Sequence, residues 1–238
     1  MPSLDICFSP ELLPLYALRG KVAVVVDILR ATSSIVTALA AGVSHIVPFS
    51  ELDDCRAMAA QGYLTAAERD GRQAEGFDLG NSPFGYLDGV LPVQGRGVAI
   101  TTTNGTRALH LSLAADAVVV GAFLNLEAVA RFVRAQGKDV VVVCAGWKGM
   151  FNLEDTLFGG ALAERLAADF DTVGSDATLA AHHLWQQAQA DLASYLLQSA
   201  HVRRLNGLEA NKDFEYCIQL DTHDILPIWQ EKRLVAHA

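Results

Sequence analysis

The stretch VAVVVDILRATSSIVTALAAG, residues 22–42, contains the unit that repeats through the fold. Its first part, VAVVVD, is apolar and rich in β-branched residues, which predicts a strand buried on both faces. The following segment, ATSSIVTALAAG, predicts a helix that Gly42 can end, because glycine readily adopts the left-handed conformation that closes helices. A buried strand that passes directly into a helix is typical of α/β sheets.

The same alternation continues along the chain. Further strands are predicted at HIVPF, LTAAE, GVAITTT, DAVVVGA, DVVVVCAG and FEYCIQL, the last of which closes the chain. Helices are predicted at ELDDCRAMAAQG, after Asn104, at LNLEAVARFVRAQG, in the segment with Phe158, Leu162 and Leu166, and as one long or two short helices over residues 175–200. This pattern predicts an α/β sheet with helices on both faces, in a single domain over residues 1–238 whose two halves pack closely.

The composition narrows the range of partners. The chain has 238 residues, of which 51% are hydrophobic and 19% charged, so it can bury a large core. Its net charge of −9 disfavours binding to nucleic acid, because the phosphate backbone is also negative. Any site for an anion must therefore be made locally positive by a metal, by arginines or by a helix N-terminus.

The cysteines and the N-terminal segment indicate a cytoplasmic protein. The four cysteines lie far apart and form no C-x-x-C pair, which fits free thiols in a reducing compartment. The opening MPSLDICFSP lacks the features of a signal peptide, and no apolar run approaches the roughly 18 residues that span a membrane. We expect no association with a membrane.

Ligands of α/β sheets gather at the carboxyl ends of strands, and four polar clusters of the sequence fall there. The first is DILRAT, residues 27–32, in which Asp27 ends a strand and Arg30 opens the next helix. A carboxylate in this position can hold a metal or act as a nucleophile, and an arginine can bind an anion through two donors. An alternative of equal weight is a helix cap followed by a surface arginine.

The second cluster is ITTTNGTRALH, residues 100–110, where a strand passes into a helix. Asn104 and Gly105 permit a tight turn, so successive backbone N–H groups can converge on an anion near the positive end of the helix. Further donors come from Thr101, Thr102, Thr103, Thr106 and Arg107. The alternative is an ordinary connection with threonine caps, and the cluster lacks the G-K-[ST] of a Walker A loop.

The third cluster is CAGWKGMFNLED, residues 144–155, in which Glu154 and Asp155 open a helix. Acids are favoured in a first helical turn by the helix dipole alone, yet adjacent carboxylates in a strand-end loop can also hold Mg²⁺. The fourth is ERDGRQAEGFDLGNSP, residues 68–83, a glycine-rich loop that carries Glu68 and Asp78. Such a loop is either a solvated connection or part of a site.

Two further residues could meet an anion. His201 follows the long helical region, and Arg204 lies close to it in the sequence. Taken by themselves, these residues favour a position on the surface.

With all four clusters in place, the sequence resembles the 2-phosphosulfolactate phosphatase family. The matching segments, in family order, are VVVDILRATSSIVTALAAG, GFDLGNSP, TTTNGTRAL, CAGWKGMFNLEDTLFGGAL and HVRRL, followed by DFEYCIQLD and Pro227. The resemblance implies a three-layer α/β/α fold around a largely parallel or mixed sheet. It also implies Mg²⁺-dependent hydrolysis of the phosphate ester of 2-phosphosulfolactate, a step in making coenzyme M.

Three residues of one presumed site loop depart from the family pattern. Trp147 and Lys148 stand where the family usually has smaller or acidic residues, and Asn152 stands where serine is common. The resemblance therefore determines the type of reaction better than it determines the substrate.

The clusters and the resemblance together predict the residues of the site. The catalytic residues are Asp27, Arg30, Glu154 and Asp155. Mg²⁺ is assigned to Asp27, Glu154 and Asp155, with Glu68 or Asp78 as further ligands. The substrate is assigned to Thr102, Thr103, Asn104, Gly105, Thr106, Arg107, Lys148, His201 and Arg204, with Arg30, Lys148 or Arg204 at its sulfonate or carboxylate end.

Several alternatives stay open on the sequence. Asp27 could attack phosphorus directly, or a metal-bound water could attack, with a carboxylate as base. The D-x-D pair of haloacid-dehalogenase phosphatases is missing because residue 29 is Leu29, which weakens the direct route. The chain could also act on another small phosphorylated 2-hydroxy acid, or bind phosphorylated or sulfonated acids without catalysis. We expect a homodimer.

Overall fold

Ten strands form one mixed sheet in the computed structural model, which describes residues 1–206 and 211–237. The strands are β1 (Leu4–Cys7), β2 (Val22–Val26), β3 (His45–Pro48), β4 (Leu64–Arg69), β5 (Arg72–Gln73), β6 (Gly97–Thr101), β7 (Ala117–Gly121), β8 (Val140–Cys144), β9 (Leu226–Gln230) and β10 (Arg233–His237). The helices are α1 (Ala31–Ala40), α2 (Leu52–Ala57), α3 (Phe84–Leu87), α4 (Gly105–Leu111), α5 (Leu126–Gln136), α6 (Leu153–Leu166), α7 (Asp176–Ala188), α8 (Leu192–Leu196), α9 (Ala200–Asn206) and α10 (Asn211–Cys217). Short 3-10 helices cover Pro10–Leu15, Met58–Gln61 and Phe123–Asn125.

The sheet consists of two parallel groups that are joined by a hairpin. Its strand order is β1-β8-β2-β7-β9-β10-β3-β6-β4-β5. The first four strands run parallel, as do β3, β6 and β4. Strands β9 and β10 pair antiparallel with each other and connect β7 to β3. The hairpin therefore occupies the centre of the sheet.

Helices cover both faces of the sheet, as the sequence predicts. Val22, Val24 and Val26 of β2 pack into a core shared with α5, α6 and α7. Ala23 and Val25 point the other way, into a core shared with α1 and α4. Because side chains alternate along a strand, a strand buried on both faces must be apolar throughout, and this explains the VAVVV run.

Helices α6 and α7 approach each other closely. A Cβ atom added to Gly160 of α6 would lie 2.1 Å from the carbonyl oxygen of Ala181 in α7. Only a glycine permits this backbone contact. The contact holds α6, the helix that carries Glu154 and Asp155, in the core that β2 shares with α5 and α7.

The α/β prediction is confirmed, and the six buried-strand segments before residue 150 correspond to β2, β3, β4, β6, β7 and β8. The predicted strand FEYCIQL is wrong, since its residues lie in α10 and the turn after it. Phe214 and Cys217 are both buried at helical spacing, so the segment buries a helix face. The region from Ser175 forms two helices, α7 and α8, because Asp191 caps a new helix start.

No helix in the described ranges combines the length and the apolar character needed to cross a bilayer.

Candidate active site

The carboxyl ends of the two parallel groups meet at Asp27. This residue follows β2, and Gly105 opens α4 directly after β6. A Cβ atom on Gly105 would lie 2.9 Å from Asp27 Oδ2 and 2.7 Å from the Cβ of Ala31. Glycine is required at this contact because any side chain would separate the two groups.

A small cavity lies at this meeting point. Its space is about 20 Å³, enough for a water-sized group. The lining residues are Asp27, Leu29, Arg30, Glu68, Asp70, Gly71, Asn81, Asn104, Trp147, His201, Arg204 and Leu205. All four polar clusters of the sequence contribute to this lining, although they are far apart in the chain.

Asp27 is a buried carboxyl group with an altered acidity. The pKa of Asp27 is raised to about 7, mainly by burial, with a smaller contribution from Glu68 and Glu154 and an opposing effect of His201. Its Oδ1 accepts a long hydrogen bond of 3.4 Å from the amide of Ala31. At neutral pH the group is thus close to its midpoint, which suits proton transfer.

This shift predicts a pH-dependent stability. The folded protein holds the Asp27 proton up to about pH 7, whereas an unfolded aspartate releases it near its ordinary value of 3.8. Wild-type stability should therefore fall as pH rises between these values, while Asp27→Asn avoids the loss. In urea unfolding with EDTA, we expect the advantage of the variant to grow by about 2–3 kcal/mol from pH 5 to pH 8. An advantage that does not change with pH would show that Asp27 is ionised throughout.

Arg30 is held in the cavity wall by a buried ion pair. Its Nη1 pairs with Asp213 of α10, and its Nη2 donates to the carbonyl of Gly71 at 2.8 Å. Asp213 Oδ1 also accepts a hydrogen bond of 2.6 Å from Ser82. The interpretation of Arg30 as a surface arginine is therefore wrong, since both members of the pair are buried.

The threonines of the second cluster mainly build the turn itself. Thr106 donates from its amide to Thr102 Oγ1 at 3.1 Å and from its hydroxyl to the Thr102 carbonyl at 2.9 Å. The amide and hydroxyl of Thr103 both donate to Glu68. Arg107 pairs with exposed Glu11 at 2.8 Å and does not line the cavity. Asn104 is the residue of the predicted anion-binding turn that lines the cavity.

Glu154 and Asp155 are buried and have different partners. Asp155 accepts hydrogen bonds from the amides of Ile28 and Gly146, at 2.9 and 3.1 Å, and so joins the loops after β2 and β8. Burial raises the pKa of Asp155 well above its ordinary value, with smaller effects of Glu154 and Asp27. Glu154 Oε1 contacts Nδ1 of His201. His201 is only 6% exposed, so the expected surface position is wrong.

The long loop after β4 supplies acids with separate roles. Glu68 lines the cavity and accepts a hydrogen bond of 2.6 Å from the amide of Gly71. Asp78 lies outside the cavity and accepts from the amide and hydroxyl of Thr65, at 2.8 and 3.0 Å. Among residues 1–206 and 211–237, no hydrogen-bond partner reaches the buried Asn81 Oδ1 or Glu154 Oε2. Asn81 lines the cavity, and Glu154 lies within electrostatic reach of Asp27.

Comparison with known proteins identifies the group of enzymes to which this site belongs. The sequence profile of the 2-phosphosulpholactate phosphatase family matches residues 7–232. The chain belongs to this family.

Relatives named "Probable 2-phosphosulfolactate phosphatase" match along most of their length. The protein from Cyanothece sp. is 39% identical over 241 residues, which covers 97% of this chain and 98% of the relative. The one from Caldanaerobacter subterraneus subsp. tengcongensis is 38% identical over 214 residues, 88% of each chain. The one from Pseudothermotoga lettingae is 36% identical over 236 residues, 99% of each chain.

In this member of the 2-phosphosulpholactate phosphatase family, sequence reasoning missed the residue that pairs with Arg30 behind the cavity wall. Asp213, the partner of Arg30, directly precedes FEYCIQL, the segment that we predicted as a strand. Its signal was the helical spacing of Phe214 and Cys217, which places Asp213 next to a buried face. An acid at the edge of an apolar helix face is a reason to look for a buried basic partner.

Proposed function

We propose that the protein hydrolyses the phosphate ester of 2-phosphosulfolactate to sulfolactate and phosphate. The observation that carries the proposal is the family match over residues 7–232, in a chain whose matched clusters line one cavity. This cavity combines carboxylates, a histidine and arginines, which are the groups that a phosphatase needs for proton transfer and charge neutralisation. Such an activity makes the protein a phosphoric monoester hydrolase.

A divalent cation is part of the proposal. Asp27, Glu68 and Glu154 are close enough to influence one another's charge, and they would repel a phosphate ester unless a cation neutralised them. Asn81 Oδ1 and Glu154 Oε2 add two buried oxygens without a partner in the described residues. An all-oxygen donor set suits Mg²⁺. We therefore assign Mg²⁺ to Asp27 and Glu154, assisted by Asn81.

The acids alone do not form a closed cage. Within the part of the chain that the structure describes, no three His, Cys, Asp or Glu side chains are gathered tightly enough to share an ion. This arrangement fits Mg²⁺, which commonly uses one or two carboxylates and keeps several waters. Asp155, Asp78 and Glu68 accept hydrogen bonds from backbone amides, so their proposed task is to hold the loops around the cavity. When bound, the cation would offset the negative charge of the transferring phosphoryl group.

The protein's own residues then have distinct tasks. Asp27 lines the cavity, and a carboxylate oxygen that the cation leaves free would accept the proton of an attacking water. Nδ1 of His201 contacts Glu154, and in the imidazolium form its other ring nitrogen would carry the proton that is given to the leaving oxygen. Arg30 lies in the cavity wall with donors that can reach the phosphoryl oxygens. Direct attack by Asp27 is the competing route, and trapping a phosphorylated enzyme would favour it.

The remaining expectations belong to the same proposal. The second end of the substrate would meet a cation among Arg30, Lys148 and Arg204. The reaction would serve the synthesis of coenzyme M in the cytoplasm, where four buried free thiols would remain reduced. We propose a homodimer as the assembled form.

Phosphate release tests the proposal directly. Purified protein is assayed with 2-phosphosulfolactate, phospholactate and p-nitrophenyl phosphate, first with Mg²⁺ and then with excess EDTA. We expect 2-phosphosulfolactate to give the highest kcat/KM, and EDTA to reduce release at least about 100-fold because the carboxylates then repel the ester.

Each other result has a defined meaning. Preference for another ester would keep the phosphatase and reassign its substrate to a different phosphorylated 2-hydroxy acid. Release that EDTA leaves unchanged would overturn the metal assignment. Tight binding of intact 2-phosphosulfolactate without any release, in the presence of Mg²⁺, would favour a binding protein.

A further inference from the structure

Two of the three cations that we assigned to the second end of the substrate are already neutralised. Arg30 pairs with buried Asp213. The Nζ of Lys148 lies 3.0 Å from Asp70 Oδ1, and both side chains are exposed. Arg204 instead stacks on an aromatic ring, with its guanidinium carbon 4.2 Å from the ring centroid of Trp147. Lys148 Nζ also lies over the Trp147 ring, 5.3 Å from its centroid, so Arg204 differs from the other two cations in that no carboxylate among the described residues pairs with it.

Trp147 is fixed in a tight turn. Its amide and carbonyl exchange hydrogen bonds with Met150, both at 2.9 Å. The two residues between them, Lys148 and Gly149, have positive φ angles of 48° and 83°, as in the tightest hairpin turns. The amide of Lys148 also donates to Asn104 Oδ1 at 3.1 Å. The second cluster thus holds the turn that carries Trp147.

Helix α9 presents two residues to the indole of Trp147. His201 and Arg204 are three positions apart, and residues at this spacing share one face of a helix. The ring centroids of His201 and Trp147 are 5.7 Å apart. His201 is buried beside Glu154, whereas Arg204 is exposed at the edge of the cavity. Trp147 therefore connects the inner end of the cavity to its mouth.

We propose that Trp147 is a specificity-determining residue that positions Arg204 to bind the sulfonate of the substrate. A guanidinium that stacks through its face keeps its in-plane N–H donors free. Planar, paired donors suit an oxyanion such as a sulfonate. The N–H donors of Arg204 lie at the exposed edge of the cavity, away from the carboxylates proposed to surround the reacting phosphate. This inference rests on the proposed function, because it assigns the second end of that substrate.

The test compares variants on phosphate esters that differ in the group at the end away from the phosphate. We expect Trp147→Leu to raise KM for 2-phosphosulfolactate about 5- to 20-fold, as expected for the loss of a cation–π contact that orients a charged group. Arg204→Gln should raise it at least about tenfold. In both variants kcat should stay within about twofold, and KM for phospholactate and p-nitrophenyl phosphate, which lack the sulfonate, should change less than about twofold. Trp147→Phe, which retains an aromatic face, should restore most of the affinity.

Arg203→Gln is the matched control. Arg203 is the neighbouring exposed arginine of α9 and donates to the carbonyl of Gln198, so its replacement should leave every KM unchanged. An equal rise in KM for all three esters in Trp147→Leu would overturn the inference and assign the residue a structural role. So would a rise for phospholactate equal to that for 2-phosphosulfolactate, since the group recognised would then be the carboxylate.

Binding of sulfolactate separates this inference from the proposed function. Isothermal titration should give a weaker Kd for Trp147→Leu and Arg204→Gln than for wild type and Arg203→Gln. If the wild-type protein releases no phosphate, the proposed function fails, yet this order of Kd values would still support the inference. An unchanged Kd in Trp147→Leu, or no binding to wild type, would overturn it.

Discussion

Asp27→Asn should reduce phosphate release from 2-phosphosulfolactate at least about 1,000-fold in kcat/KM. Asparagine has nearly the same size and keeps an oxygen for the amide of Ala31. It can neither accept a proton from water nor attack phosphorus, and it removes one negative metal ligand. The loss is therefore expected for either chemical route. Initial rates at saturating Mg²⁺ measure it.

A surface aspartate provides the control for this variant. Asp116 pairs with Lys138 at 2.7 Å and directly precedes β7, at the amino end of that strand. Asp116→Asn should retain wild-type kcat/KM. Near wild-type activity of Asp27→Asn, in a protein that unfolds as cooperatively as wild type, would disprove the position of the active site.

Asp213→Ala should lower the free energy of unfolding by about 3–5 kcal/mol. The substitution leaves the Arg30 guanidinium buried without its carboxylate, and Ser82 loses its acceptor. An unpaired buried charge costs more than the net stabilisation of the pair, because the desolvation penalty stays while the attraction is lost. Urea unfolding at pH 7.5 measures the change.

The chain offers an exposed arginine–aspartate pair for comparison. Arg131 and Asp224 form an ion pair on the surface, where water and salt screen the attraction. Asp224→Ala should leave stability nearly unchanged. If Asp213→Ala is no more destabilising than Asp224→Ala, Arg30 finds another partner or reaches solvent, and its fixed position in the cavity wall is wrong. Replacing both Arg30 and Asp213 with apolar residues should restore most of the lost stability.

Local sequence predicted the strands that are buried on both faces. VAVVV and VVVVC leave few alternatives, because polar positions are absent from both faces of the strand. The hairpin β9–β10 was missed because Pro227 disfavours a strand and because its partners β7 and β3 lie far away in the sequence. The seven residues of FEYCIQL fit both the alternating pattern of a strand and the three-residue spacing of a helix. In the structure Phe214 and Cys217, three positions apart, both contact the core, and the segment is helical.

The positions of the site residues were less predictable than their identity. Strand-end location led to Asp27 and Glu68, since carboxyl ends of parallel strands gather ligands. The burial of Arg30 and His201 depends on Asp213 and Glu154, which no local pattern connects to them. Similarly, the threonines after β6 serve the turn because Thr102 and Thr106 bond to each other. Only tertiary structure determines whether a hydroxyl faces a ligand or its own backbone.

The central position of the β9–β10 hairpin has a consequence for synthesis on the ribosome. Strand β9 joins β7 through Val119 and Ile228, and β10 joins β3 through Leu234 and Ile46. All other described strands precede this hairpin in the sequence, so hydrogen bonding across the whole sheet is completed only when the hairpin has been made. A chain without this hairpin would carry every cavity-lining residue named above, but its two parallel groups would lack the strand hydrogen bonds that join them.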